Sequence, residues 1–511
     1  MRLGALAALL LLGAAPAPVD VLIRGGIVYP GGAKPFTGDV AIRGDRIVAV
    51  GPRLRMRAAR TIEAKGMIVA PGFIDPHAHV GDMLTGADAQ ARLVLPFLMQ
   101  GVTTTFIGND GGGDPEVGKV LGSARARPVG INYAAYVGFG AVRQQVIGMA
   151  RRAPTPDELA RMRAIVARAM CEGALGLSTG LFYAPQSFAT TDEVVALARE
   201  AGTRGGHYDS HIRDESSYTV GLSAAIDEAL AIGRQARVPV QISHIKALGV
   251  DVQGQAPAIV AKVAAARAAG QRVTADQYPW DASGTSLVAS LVPLWAQDGG
   301  RQALLARFAD PALAARLHAD MAENLRKRGG ADKLLITEGP HKDRTLAAVA
   351  GGGDPVAAAI AVIRVADPAV ASFNQRADDI ATFMAQPWVM TGSDASPGHP
   401  RVYGSFARKY ARYVRADHVL TLRQFVDRSA TLAADTFGLT DRGRIGVGRY
   451  ADVVVFDPAT YAAQATYSAP TRLASGVRAV LVNGRVAVAD GRATGVAAGR
   501  ALPHAPTGGC R

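Results

Sequence analysis

Pro71-Gly72-Phe73-Ile74-Asp75-Pro76-His77-Ala78-His79 is a short apolar run that ends in two histidines. Side chains two apart on a strand share a face, so His77 and His79 can grip one ion together. Similar apolar runs recur at residues 101–110, 131–139, 174–181, 207–213, 238–246, 272–280 and 388–394. Several gaps between them carry helix-period segments, at 157–171, 191–204, 221–236 and 256–269. Continuous apolar strands alternating with helices predict a parallel sheet, and eight units predict a closed (β/α)8 barrel over residues 71–438. An open doubly wound sheet is the competing architecture, but no glycine-rich phosphate turn follows the first strand.

Outside the barrel, β-branched runs at 21–28 and 40–50, the second turning at Gly44-Asp45, read as short antiparallel strands. A matching set at 451–457 and 477–486 closes the chain. The two ends are expected to pair into one small β-sandwich, residues 18–70 and 439–500, leaving a tail at 501–511. About a hundred residues separate Trp280 from Trp388, too many for an ordinary barrel loop. They predict an inserted segment at about 286–386 over the barrel mouth, with helices near 302–308 and 311–327.

Composition narrows the function classes. Hydrophobic residues make up 49% and charged residues 19%, the balance of an ordinary globular protein. The net charge of +13 comes mainly from dispersed arginines, with no block of like charges and no basic–aromatic ladder. Nucleic acid is therefore not an expected partner. Beyond the N-terminus no apolar stretch approaches the roughly 20 residues of a membrane span. Residues 1–17 differ: Arg2 precedes a short apolar run and Ala15-Pro16-Ala17 supplies a cleavage signal. They read as a signal peptide, with mature protein from about Pro18 exported to the periplasm or beyond. The two cysteines, Cys171 and Cys510, do not make a staple pattern. A bridge between them stays open, but Cys171 is read as a small buried hydrophobe.

Catalytic groups of such a barrel sit where its strands end. Here those ends carry His77 and His79, Asn109-Asp110, His211, His244, and Ser393-Asp394. Each alone has a plain structural explanation, a hydrogen-bonded histidine or a helix cap. Four of ten histidines and two aspartates at strand ends together predict a site for Zn²⁺ or a similar divalent ion.

The segment 71–79 resembles the first-strand signature of the amidohydrolase superfamily. Gly446-Val447-Gly448-Arg449-Tyr450-Ala451-Asp452 resembles its composite β-sandwich. More narrowly, the chain is similar to N-acyl-D-amino-acid deacylases (D-aminoacylases), over nearly its whole mature length. That similarity rests on Gly176-Leu177-Ser178-Thr179-Gly180-Leu181-Phe182-Tyr183, Ser210-His211-Ile212-Arg213-Asp214-Glu215 and Ile242-Ser243-His244-Ile245-Lys246. Asp276-Gln277-Tyr278-Pro279-Trp280, Gly392-Ser393-Asp394 and Gly398-His399-Pro400-Arg401 complete it. The resemblance implies that His77, His79 and Asp394 face one metal position and that His211 and His244 hold a second, tighter one. It places Tyr183, Lys246, Tyr278 and Arg401 around the carboxylate of an acylated amino acid. Arginine suits that task through its paired donors.

Two departures stand out. Those deacylases usually have cysteine where this chain has Asp110. A carboxylate is a harder ligand and can bridge two ions, so Asp110 is read as a ligand in a site of one or two metals. The alternative is that it only caps its loop. Phe139 stands where related chains often have a histidine.

The expected reaction is hydrolysis of a linear amide, with a metal-activated water as nucleophile and Asp394 as general base and then acid. The substrate would be a small N-acyl-D-amino acid. Rivals in the same superfamily are D-residue dipeptide cleavage, on a short peptide, and cyclic-amide hydrolysis, which has less need of a carboxylate clamp. A rival of another class is an inert envelope binding protein, which metal analysis would separate. Oligomeric state is not legible.

Overall fold

A computed structural model describes residues 18–510. The signal peptide read at residues 1–17 lies outside the described residues, as does Arg511. All eight expected barrel strands form: Phe73–Asp75, Val102–Ile107, Asn132–Ala135 continuing as Val137–Gly138, Gly176–Gly180, His207–His211, Val240–Ile242, Val273–Gln277 and Val389–Thr391. Each pairs in parallel with the next. The third strand is shared, its first half pairing with the second strand and its last two residues with the fourth. A parallel bridge between Ala78 and Ala395 closes the ring, with Asp394 N–H on the His77 carbonyl at 2.9 Å.

The first strand stops at Asp75 rather than running on to His79. Pro76 has no N–H to continue the ladder, so the regular strand ends there, and residues 77–79 pair only with the end of the eighth strand. The helices follow the sequence pattern closely. Pro156–Cys171 starts on a Thr155–Glu158 capping box and turns Met162, Val166, Ala169 and Met170 inward, one stripe at helical spacing.

The insertion has its own four-stranded antiparallel-linked sheet, in which Ala282–Ser286 pairs with Ala369–Phe373 and the latter with Leu334–Ile336. Leu287, Leu291, Leu317, Met321, Ile336 and Ile363 fill a core separate from that of the barrel. Its limits differ from the expected 286–386. The unit begins at Ala282 and ends at Phe373, because Ala377–Met384 buries Ile380, Phe383 and Met384 against the barrel and packs on Ala256–Ala268.

Both chain ends meet in a single nine-stranded sheet. Ile68–Pro71 joins Val453–Phe456 antiparallel, which is where the two ends pair. The opening strands at 21–28 and 40–50 pair antiparallel as the sequence suggested, and two strands it did not mark add parallel partners. Val19–Val28 pairs antiparallel with Phe36–Arg43 but parallel with Ala58–Glu63 and with Ile68–Pro71. Strand periodicity sets which face is buried and carries no information on direction. Asp452 ties this sheet to the barrel, accepting from Arg442, from Asn132 at 3.2 Å and from Asn483 N–H at 2.7 Å.

Cys171 is not a buried hydrophobe. It is exposed at the end of its helix and forms a disulfide with Cys510, with 5.5 Å between the Cα atoms. The tail reaches it along the barrel underside, with Leu502 N–H on Tyr133 at 2.7 Å, His504 N–H on Gly173 at 2.9 Å and Thr507 N–H on Arg204 at 3.1 Å. Two cysteines 339 positions apart give no local signal, so only the folded tail brings them together. Cys510→Ser is expected to lower stability by about 2–4 kcal/mol and to expose the tail to protease. Activity should be unchanged, because Cys171 precedes its strand and lies at the barrel end away from the histidines. Thermal scans with and without reductant, alongside limited proteolysis, check this.

Candidate metal centre and active site

Where the strands end, the backbone turns sharply. Asp110, His244 and Asp394 have φ of 56°, 33° and 49°. Non-glycine residues rarely adopt such values, and they persist where surrounding structure holds a side chain in a required direction. The holding groups lie just beneath. Asp75 accepts from His77 N–H at 3.2 Å and Ser393 N–H at 3.0 Å, tying the first and eighth strand ends together. Asp276 accepts from His244 N–H at 3.0 Å. Asp209 bonds Asn109 and Ser243, both at 3.0 Å. Burial pushes Asp75 and Asp209 up to about 7, further than those hydrogen bonds can hold them down.

All six strand-end residues converge. Asp110 faces four imidazoles at once: Oδ1 lies 3.4 Å from His77 Nε2 and 3.5 Å from His244 Nε2. Its Oδ2 lies 3.3 Å from His79 Nε2 and 3.6 Å from His211 Nδ1. Asp394 Oδ1 closes the set at 3.2 Å from His79 and 3.7 Å from His77. Two overlapping groups result, one of His77, His79, Asp110 and Asp394 and one of Asp110, His211 and His244. Within each, the ligand atoms lie within 4.8 Å of one another. Asp110 belongs to both.

The charges respond to this crowding. Burial alone would raise Asp110, but His77, His244 and His211 pull it well below the usual carboxylate range. Burial would likewise raise Asp394, yet the adjacent Arg401 and His244 hold it low and ionised. For His79 burial works downward, and hydrogen bonds to Asp110 and Asp394 overcome it to reach about 9. His244, lowered by burial and by Lys246, is carried to about 10 by Asp394, Asp110 and Glu215. Burial prevails at His211 and lowers it.

A cavity of about 290 Å³ opens over these groups, and Tyr183, Lys246, Tyr278 and Arg401 all line it. Both cations among them are paired. Lys246 Nζ sits 2.5 Å from Glu215 Oε1 and 2.7 Å from His244 Nδ1. Arg401 donates to Asp394 Oδ2 and to Ser396 Oγ, both at 2.6 Å, under the Tyr278 ring. Tyr183 Oη accepts from Thr285 at 3.4 Å.

Glu215 was not singled out from the sequence. It is buried, contacts His244 Nδ1 at 3.1 Å, and is driven low, Lys246 and the two histidines overcoming its burial. The available signal was its place four residues after His211, an acid beside a candidate ligand. The network of Asp75, Asp209 and Asp276 was also missed, since one acid inside an apolar strand has no periodic signature.

A model of the amidohydrolase family matches residues 60–488. The chain belongs to the amidohydrolase family. Among family members, the D-aminoacylase of Alcaligenes xylosoxydans xylosoxydans is 34% identical, over 95% of this chain and 98% of its own length. A D-aminoacylase crystal structure superposes with a TM-score of 0.81 at 33% identity, covering 95% of this chain and all of that one. The N-acyl-D-glutamate deacylase of Bordetella bronchiseptica, solved with zinc and a phosphonate that mimics the tetrahedral intermediate, has a TM-score of 0.80 at 32% identity. It covers the same shares of the two chains.

Proposed function

We propose that this amidohydrolase is a divalent-metal-dependent deacylase that cleaves the amide bond of N-acyl-D-amino acids. The observation that carries the reading is the carboxylate of Asp110 facing four imidazoles across two overlapping ligand groups. The donor set suits a cation: among the described residues, His77 Nδ1 and Nε2, Asp110 Oδ1 and His211 Nε2 are buried without a hydrogen-bond partner, an arrangement native proteins avoid unless something else satisfies it. His77, His79, Asp110 and Asp394 would hold one ion and Asp110, His211 and His244 another, with zinc the favoured metal. When bound, a divalent ion polarises the amide carbonyl and lowers the pKa of water.

The chain's own groups supply the rest. Asp394, ionised beside Arg401 and His79, takes the proton of the attacking water and returns it to the leaving amine nitrogen. Arg401 orients that carboxylate through one arm. Glu215, 3.1 Å from His244 Nδ1 and paired with Lys246 beside it, fixes that ring so that Nε2 faces the position His244 would share with Asp110 and His211. Arg401, Lys246, Tyr183 and Tyr278 line the space for the substrate carboxylate. A screen of N-acetyl-D- and L-amino acids and D-containing dipeptides, with zinc supplied and then chelated, tests the reading. Turnover of the D-acyl compounds that vanishes on chelation is the expected result; hydrolysis confined to dipeptides or cyclic amides would overturn it.

Proton linkage gives a further check. His79 at about 9 and His244 at about 10 hold protons at pH 7 in the metal-free protein, and a cation must displace them. Their raised values favour the protonated form below those pKa values, so zinc affinity is expected to rise with pH. The slope should approach about tenfold per pH unit for each proton displaced between pH 7 and 9. Competition titrations against a zinc indicator measure it, and a flat profile would count against the convergence.

We also propose export. The disulfide supports an oxidising compartment, in keeping with the leader read at residues 1–17. Mass spectrometry of protein recovered from the envelope fraction should find a mature N-terminus near Pro18.

A further inference from the structure

Arg328 is buried on the wall of the same cavity, yet it comes from the insertion, at the C-terminal end of Pro311–Lys327. Its Nε donates to the Ser290 carbonyl at 3.0 Å and its Nη1 to Ser372 Oγ at 2.9 Å. Nη2 has no hydrogen-bond partner among the described residues, and no carboxylate there lies within the 4.0 Å of an ion pair. The other two cations of the cavity are paired, Lys246 with Glu215 and Arg401 with Asp394. Glu338, the remaining carboxylate on the wall, forms no such pair with Arg328. Next to the guanidinium, 5.6 Å from it, is the ring of Tyr218, whose buried hydroxyl also lacks a partner among the described residues.

A guanidinium out of water is costly unless an anion accompanies it. Two neutral acceptors hold Arg328 in place without neutralising it, and Arg328 and Tyr218 both line the space a substrate fills. We infer that Arg328, with Tyr218, is a specificity-determining site for a second anionic group on the substrate, so that the preferred substrates are N-acyl amino acids with an acidic side chain. The inference rests on the deacylase reading and adds the substrate's side-chain class to it. The α-carboxylate is left to Arg401 and Lys246, and the planar donor fork of Arg328 matches a side-chain carboxylate.

The test compares N-acetyl-D-glutamate, N-acetyl-D-aspartate and N-acetyl-D-leucine on the zinc-loaded full chain. Binding of the products D-glutamate and D-leucine is measured beside it by calorimetry. Wild type should favour an acidic substrate, and Arg328→Met should lower kcat/KM for it by about 50- to 100-fold, mostly through KM. N-acetyl-D-leucine should change less than about threefold, and Arg328→Lys should recover part of the loss. A wild type without acidic preference overturns the inference whatever the variants do, and so does an equal loss on all substrates, which would make Arg328 an α-carboxylate clamp. If no acyl amino acid is hydrolysed but D-glutamate binds in an Arg328-dependent way, the deacylase reading fails and the anion site stands.

Discussion

Asp394→Asn is expected to lower kcat by about 10³- to 10⁴-fold while the protein still folds and retains metal. General acid–base catalysis by one group contributes about 10²- to 10⁴-fold, and in the proposed reaction Asp394 would serve both halves, taking the proton from water and giving it to the amine. An amide makes the second half indispensable, because an unprotonated amine is a poor leaving group. Asparagine keeps the size and can still accept from Arg401, now 2.6 Å away, but it cannot hold a proton between the steps. His77, His79 and Asp110 remain to bind the ion. Steady-state kinetics with elemental analysis of the same preparation provides the check. A variant that keeps kcat within tenfold of wild type would move the proton transfer to another group.

The second large effect is at Asp110. Its replacement by alanine removes the one anion common to both ligand groups and leaves four imidazoles converging on an empty centre. We expect Asp110→Ala to lose metal on dialysis and to lose at least about 10²-fold in kcat/KM, with little recovery on adding zinc. The rise of zinc affinity with pH should flatten too, since Asp110 helps lift both His79 and His244. Asp110→Cys should retain zinc, because a thiolate is a strong zinc ligand, and should tolerate harder metals less well. If Asp110→Ala keeps its metal and its rate, the carboxylate only caps its loop.

Much of this site was legible because two periodicities coincide. Eight apolar runs mark eight strands, and the polar residue that ends each run marks the barrel face where chemistry collects. His77, His79, Asp110, His211, His244 and Asp394 could therefore be named without coordinates. What escaped was carried by contacts between distant segments. Glu215 matters through Lys246 and His244, 31 and 29 positions later. Arg328 lies outside every barrel motif and reaches the cavity only because the insertion folds over it. Lys246 and Arg401, named as substrate-binding on the resemblance, line the cavity, but their ion pairs with Glu215 and Asp394 follow from side-chain directions that spacing does not encode.

The sequence by itself determined the barrel, the pairing of the chain ends and the set of strand-end donors, because burial and hydrogen bonding impose their period on the chain residue by residue. Tertiary structure alone decided the parallel strands of the terminal sheet, the Cys171–Cys510 bridge and the place of Asp110 in both ligand groups. Among the described residues it also left Arg328 without a counter-charge. Each of these depends on which remote groups meet, and a pairwise electrostatic or covalent contact leaves no periodic trace in either partner's neighbourhood.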